Sequence, residues 1–265
     1  FWLSRGLSKA SVIKDKTKAL KWYQLAADQG NADAQVNVGF LYYSGDGIPE
    51  DTEKAIPWFR KAAEQQNPVA QFFLGLCYNN GYGVTSNKLE AANWYRLAGE
   101  QGHQEAQINL GLMYDLGDGI PENSAEAVKW YRQAAEQQNA TAQYFLGLSY
   151  DEGNGVTEDN VEAVRWFRLA AEQDHVSSQV NLGLMYELGE GVVEDNTEAV
   201  KWYRRAAEQQ DADAQYYLGV CYNLGNGIAK DKFEAVKWLE ASVENDPGLQ
   251  NSAWVLLGEI KAELG

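Results

Sequence analysis

Six Gly-x-Gly pairs could cradle a phosphate. They begin at Gly45, Gly81, Gly117, Gly153, Gly189 and Gly225, each just past an apolar stretch such as LGLMYDLGDGI, residues 110–120. Backbone N–H groups of such a loop, opening onto a helix, are good anion donors. A dinucleotide fingerprint also needs a preceding strand and a third glycine, and neither is found here. A motif that recurs six times reads as turns, with the first glycine ending a helix in the left-handed conformation and the second reversing the chain.

Other reactive residue types fail on spacing. His103 and His175 are the only histidines and lie 72 residues apart in one register. A metal would need them together with further ligands, so they read as helix caps. Cys77 and Cys221 share a register four repeats apart. At about 8–10 Å per packed helix layer they lie beyond disulfide reach, and they read as small buried apolar residues. Ser11–Lys14 (SVIK) fits the S-x-x-K of penicillin-recognising enzymes, but no S-D-N or K-T-G accompanies it and a loop is expected there. A hydrolase of that type is therefore a remote alternative. Asn139-Ala140-Thr141 is a glycosylation sequon that coincides with a cap. No catalytic residue, metal ligand or cofactor is expected.

Composition excludes further classes. The formal net charge is −16, which argues against nucleic-acid binding, since that needs a basic face to displace counterions. It favours cationic partners or simple solubility. No apolar run approaches the roughly 20 residues of a membrane span. The opening FWLSRGLSKAS does not read as a signal peptide.

The elements that carry these residues follow from a 36-residue period. Trp recurs at 22, 58, 94, 130, 166, 202 and 238, and Gly at 39, 75, 111, 147, 183 and 219. Tyr recurs at 42, 78, 114, 150, 186 and 222, with no insertion between units. Each unit reads as two helices. Helix A covers about 32–44, with Ala34, Val38, Leu41 and Tyr42 in one apolar stripe. Helix B covers about 52–65, with Ala55, Phe59 and Ala62 on one side and Trp58 beside them. Asn, His or Asp precedes each helix A, and Asp or Asn precedes each helix B. A Glu three residues into most B helices completes the outline of a capping box. The Trp series, a conceivable aromatic cage, reads as packing.

The pattern A-Q-x-x-L-G-x-x-Y-x-x-G-x-G-V, followed by E-A-V-x-W-Y-x-x-A-A-E-Q-G, resembles the Sel-one-like repeat family, relatives of the tetratricopeptide repeats. The likeness runs over about residues 12–240. It implies an all-α fold, a right-handed superhelical solenoid of antiparallel helix pairs whose A helices line a concave groove. It also implies adaptor or scaffold work rather than catalysis. Members are mostly bacterial, which leaves periplasmic, secreted and cytoplasmic locations open. One branch of the family carries a disulfide in most repeats; the two cysteines here depart from it.

What remains after the repeat is subtracted marks a surface. Helix A is apolar on a second side, through Val36, Phe72, Ile108, Tyr144, Val180 and Tyr216 and through Phe40, Leu76, Leu112, Leu148, Leu184 and Val220. A helix apolar on two sides is either packed on both or exposed for binding. The six A segments hold no Lys or Arg and eight acids. Asp33, Glu105, Asp211 and Asp213 suit the helix dipole near helix starts. Asp115, Asp151, Glu152 and Glu187 sit at the opposite, unfavourable end. Lys and Arg gather on helix B.

A 72-residue superperiod overlies this. Asn37, Asn109 and Asn181 alternate with Phe73, Phe145 and Tyr217, and Asp46, Asp118 and Glu190 alternate with Tyr82, Asn154 and Asn226. The Asn amides could hold a peptide backbone or serve packing. The candidate partner-binding residues are Asn37, Phe40, Tyr43, Phe72, Asn79, Asn109, Asp115, Tyr144, Asp151, Glu152, Asn181, Glu187, Tyr216 and Asn223. The expected partner is a protein or peptide with basic and apolar residues. Self-association through the repeat ends is the alternative, giving a homo-oligomer. A single array is expected over 1–265: a truncated first repeat or cap at 1–30, six repeats at 31–246, and a C-terminal capping helix at 247–265 whose apolar face carries Trp254 and Leu257.

Overall fold

The computed structural model describes residues 9–245 and 250–264, with side chains from residue 16 to 245 and from 252 to 264. All fourteen elements among them are α-helices: α1 (Lys9–Asp28), α2 (Ala32–Ser44), α3 (Thr52–Glu64), α4 (Pro68–Asn80), α5 (Lys88–Glu100), α6 (Gln104–Leu116), α7 (Ser124–Glu136), α8 (Ala140–Glu152), α9 (Asn160–Glu172), α10 (Val176–Leu188), α11 (Asn196–Glu208), α12 (Ala212–Leu224), α13 (Lys232–Asn245) and α14 (Gln250–Leu264). Helix A of each repeat is even-numbered and helix B odd-numbered. α2 packs on α3, α4 on α5, α8 on α9, α10 on α11 and α12 on α13. B helices also meet the A helix that follows, as α3 meets α4 and α9 meets α10. Contacts group the chain into two compact units, 1–134 and 135–265. Each is the same all-α repeat array.

The recurring glycines have two separate causes. Gly75 lies inside α4, where a Cβ would come within 2.5 Å of the Tyr95 ring. The small residue of helix A thus seats the aromatic of helix B, and the same contact joins Gly39 to Phe59 and Gly183 to Tyr203. Gly191, the second glycine of its pair, has φ +68°, and a Cβ would sit 2.1 Å from the carbonyl oxygen of Asn160. The turn therefore presses on the first residue of the preceding B helix. That contact, with the left-handed helix end at the first glycine, accounts for Gly-x-Gly without any ligand.

The N-caps form as expected. Asn31 Oδ1 accepts from the Ala34 amide at 2.8 Å, and His103 Nδ1 accepts from the Ala106 amide at 3.4 Å. The capping box closes only on one side. The cap amides of Asp51, Asn87, Asp159 and Asp195 donate instead to the carbonyls of Tyr42, Tyr78, Tyr150 and Tyr186. Glu126, Glu162, Glu198 and Glu234 turn along their own helix to basic residues three positions on, as in Glu162–Arg165 at 3.0 Å, while Glu90 accepts from the Trp94 indole N–H at 3.0 Å. Tying the loop to helix A uses the donor that the box would have used.

A buried glutamine ladder joins the repeats. Gln71, Gln107, Gln179 and Gln215 are buried. Gln107 Nε2 donates to the Gly99 carbonyl at 2.8 Å, across from α6 to the end of α5. Gln71 Oε1 accepts from Gln101 Nε2 at 2.7 Å, and Gln179 Oε1 from Gln209 Nε2 at 2.9 Å. The A-Q of helix A and the E-Q of helix B are thus two halves of one polar network that leaves no buried amide group unmatched along it.

The tryptophans pack less deeply than their regularity suggests. Trp166 is buried, but Trp58, Trp94, Trp130, Trp202 and Trp238 are half-buried and Trp22 is exposed. The deep aromatic is the next residue: Phe59, Tyr95, Tyr131, Phe167 and Tyr203 are almost fully buried. The Trp faces serve cations of their own helix, with the Lys61 ammonium 4.7 Å from the Trp58 ring and the Arg205 guanidinium 4.9 Å from Trp202.

α14 closes the core over Ala235 and Leu239 with Ala253, Leu257 and Ile260. Trp254 is half exposed and takes no part in that face. Residues 11–14 lie within α1 rather than in a loop, so S-x-x-K is one helical turn. Residues 1–8 of the truncated first repeat or cap expected at 1–30, and residues 247–249 of the capping helix expected at 247–265, fall outside the described residues. Cys77 and Cys221 are free and buried, and burial pushes both thiols up to about 12. Neither is a thiolate at neutral pH.

Candidate functional site

In unit 1 the A-helix face is aromatic. Phe40 of α2 lies 5.6 Å from Phe73 of α4 (ring centroids), and Tyr43 lies 5.5 Å from Phe73 and 6.0 Å from Tyr82. Phe73 stacks on buried Phe59 at 5.0 Å. Phe40 is exposed, whereas Tyr43 and Asn37 are half-buried. Phe72 stacks on the cap His103 of the next repeat at 4.5 Å, and in unit 2 the Tyr144 ring lies tilted against His175 at 4.9 Å. Burial lowers the pKa of both histidines.

The second apolar side of helix A is thus largely packed. Phe72 and Leu76 lie against the core of the following helices, as do Tyr144 and Leu148. Tyr216 lies edge-on to Tyr217 at 5.6 Å. These aromatics join one repeat to the next and are half-buried.

The acids divide by what faces them. Asp115 Oδ2 accepts from the buried Tyr131 hydroxyl at 2.8 Å, and Glu187 Oε2 from Tyr203 at 2.6 Å. Burial holds the Asp115 carboxyl above its usual range, against the lowering effect of the Tyr131 and Ser124 hydroxyls. Asp151 occupies the same register, but its B helix offers Phe167, which has no hydroxyl. Its carboxyl is half-buried and raised by desolvation and then by Glu190, Glu152 and Glu158. Glu152 is exposed.

The amides also divide. Asn79 and Asn109 line one cavity of about 130 Å³ with Tyr95, Leu116 and Asp118. Asn79 Oδ1 accepts from Lys88 Nζ at 3.0 Å. Asn181 and Asn223 are half-buried. Sequence reasoning missed three of the most exposed apolar side chains, Leu116 at 74%, Leu188 at 62% and Leu224 at 65%. They end α6, α10 and α12, and one column of the repeat (Ser44, Asn80, Leu116, Glu152, Leu188, Leu224) contained the signal. A second surface was also missed. Val161, Leu169 and Val192 line a cavity of about 400 Å³ beside α9, and Leu89 and Leu97 are the exposed equivalents of Val161 and Leu169 on α5.

Among the described residues no group of three or more His, Cys, Asp or Glu is placed to hold a metal ion, and no helix is long and apolar enough to cross a membrane.

Comparison with known proteins agrees with this arrangement. The family model described as Sel1 repeat matches residues 1–31, 32–67, 68–103, 104–139, 140–175, 176–211 and 212–247. The crystal structure of a protective antigen of uropathogenic Escherichia coli with an SLR fold is 39% identical, with a TM-score of 0.87 over 91% of this chain and 51% of the antigen. The chain spans about half the length of that antigen. A Sel1 repeat protein from Oxalobacter formigenes is 34% identical, with a TM-score of 0.74 over 82% of this chain and 89% of its own. No curated protein matches the sequence. The seven matched repeats and these two structures establish that the chain belongs to the Sel1 repeat family.

Proposed function

We propose that this chain is a non-enzymatic interaction scaffold whose A-helix face binds a partner segment carrying basic and apolar residues. Sel1 repeat proteins in general mediate protein–protein interaction. The observation that carries the finer reading is electrostatic. The six A helices hold no Lys or Arg, and among the described residues no Lys or Arg pairs with Asp151 or Glu152. The exposed leucines at the ends of α10 and α12 give the same region apolar footing. The unbroken 36-residue register supports reading 1–265 as one array.

Asp115 and Glu187 hold buried hydroxyls, so charge reversal there would disturb the fold. Asp151 and Glu152 are the cleaner probes. Changing both to Lys is expected to weaken binding of cationic amphipathic peptides at least tenfold at low salt and to flatten the salt dependence. Unchanged affinity and salt slope would overturn the reading. Light scattering over a concentration series tests the competing reading, since a mass that rises with concentration favours self-association.

A further inference from the structure

The 72-residue superperiod makes unit 1 a template for unit 2. In unit 1 the ammonium of Lys88, the first residue of α5, donates to Asn79 Oδ1 at 3.0 Å and to Asp118 Oδ2 at 2.8 Å. Asn79 comes from the end of α4, and Asp118 from the Gly117–Gly119 turn after α6. Gly119 presses on Lys88 itself. One primary ammonium therefore ties together three elements. Lys16 and Asp46 repeat the pair one superperiod earlier.

Adding 72 to each number gives Asp151, Asn160 and Glu190. The backbone packing is kept, with Gly191 pressed on Asn160 as Gly119 is on Lys88. The chemistry is not. The two flanking groups are now both carboxylic acids, and the lysine between them has become asparagine. Among the described residues no side chain donates a hydrogen bond or an ion pair to Asp151 or Glu190. Asn160 Oδ1 is buried without a hydrogen-bond partner. One repeat further on, Asn196 holds this register, and its Oδ1 accepts from Asn226 Nδ2 at 3.1 Å. Glu190 stands where Asn226 stands and, as a carboxylate, has no N–H to give. Three acceptors are left around the place that Lys88 Nζ fills in unit 1. Glu190 is exposed and Asp151 half-buried, so the place is open to solvent.

We propose that this place in unit 2 takes a primary ammonium from outside the chain, the lysine side chain of a partner, held by Asp151, Glu190 and Asn160 Oδ1. The inference rests on the A-helix face being a binding face and names the group received there. An ammonium brings three donors on a compact charge, whereas a guanidinium is a planar fork made for one bidentate carboxylate. The Lys88 site shows that this scaffold accommodates the former.

The test uses the intact chain and Nα-acetyl-lysine methylamide as probe, with its Nε-acetylated form as control, followed by nitrogen–proton NMR. A saturable shift is expected at the Asn160 side-chain amide and at the backbone amides of Asp151 and Glu190. It should be absent with the control and weakened several-fold in D151N. Asn160→Lys supplies the ammonium from within. It is expected to abolish the shift and raise Tm, with no rise in a D151N/E190Q background. An equal shift with the acetylated control, or a Tm gain that persists without the two carboxylates, overturns the proposal. The two levels separate cleanly. If cationic peptides bind the parent and N160K equally well, the binding face stands and the ammonium site falls. If no cationic peptide binds but the probe still shifts Asn160, the site stands without the face.

Discussion

The buried hydroxyl of Tyr203 donates to Glu187 at 2.6 Å, so an acid at the end of α10 is anchored from inside the core by the helix that follows. The ring itself does not need the hydroxyl, because Phe59 and Phe167 fill the same register fully buried. Tyr203→Phe is therefore expected to keep the packing and lose one charge-assisted hydrogen bond, costing about 1.5–3 kcal/mol. Denaturant unfolding of the variant checks this. Phe167→Tyr should act in the opposite sense by giving Asp151 a donor.

Stability should fall on mild acidification because of the two cap histidines. Burial lowers the pKa of His103 and His175 below the usual 6.5. The unfolded chain then takes up protons first, so the stabilisation is full above about 6.5 and is lost as pH falls through the window below it. Protonation also removes the Nδ1 acceptor that caps each helix. His103→Asn with His175→Asn installs the residue found at Asn31, Asn67 and Asn139 and should flatten the slope between about pH 5 and 7. Asp115 and Asp151 work in the other direction. Their raised pKa favours the folded state at low pH, and that contribution is lost as pH rises through the raised values. Tm measured against pH for parent and double variant separates the two effects.

The turn from helix B to helix A stores removable strain. Gln66, Gln138 and Gln210 adopt φ of 62°, 66° and 67°, where Gly30 and Gly102 stand at 90° and 88° in the same register. A left-handed conformation costs a residue with a Cβ about 1–2 kcal/mol. Gln66→Gly should raise stability by up to about 1 kcal/mol after the entropy cost of glycine, and Gly102→Gln should lower it. Thermal melts of the two variants are expected to shift in opposite directions.

The glutamine ladder predicts a penalty out of proportion to side-chain size. Gln71→Leu keeps the volume but removes two hydrogen bonds, leaving Gln101 on the Leu97 carbonyl and the Ala63 carbonyl on the Gln66 amide, at about 0.5–1.5 kcal/mol for each bond lost. A buried polar group left unmatched costs about 1–3 kcal/mol. Gln101→Leu leaves the buried Gln71 Oε1 in that state and is expected to cost more than Gln71→Leu, which orphans no buried group. Hydrogen exchange at the α4 amides should rise with it.

Periodicity alone determined the repeat unit, the helix pairs, their ends and the caps, because each depends on residues near in sequence and is repeated until chance is excluded. It also carried the absence of basic residues from helix A, a property of composition. It did not reveal which aromatic is deepest, since Trp58 and Phe59 are adjacent and only the approach of Gly39 selects Phe59. Nor did it tell Asp115 and Glu187 from Asp151, which look alike along the chain. They differ in whether a tyrosine or a phenylalanine 16 residues later brings a hydroxyl to them. The Lys88 bridge, and its loss at Asn160, likewise join residues 9 and 30 positions apart. Tertiary packing decided these matters, because the energy of a buried polar group depends on which partner the fold sets against it.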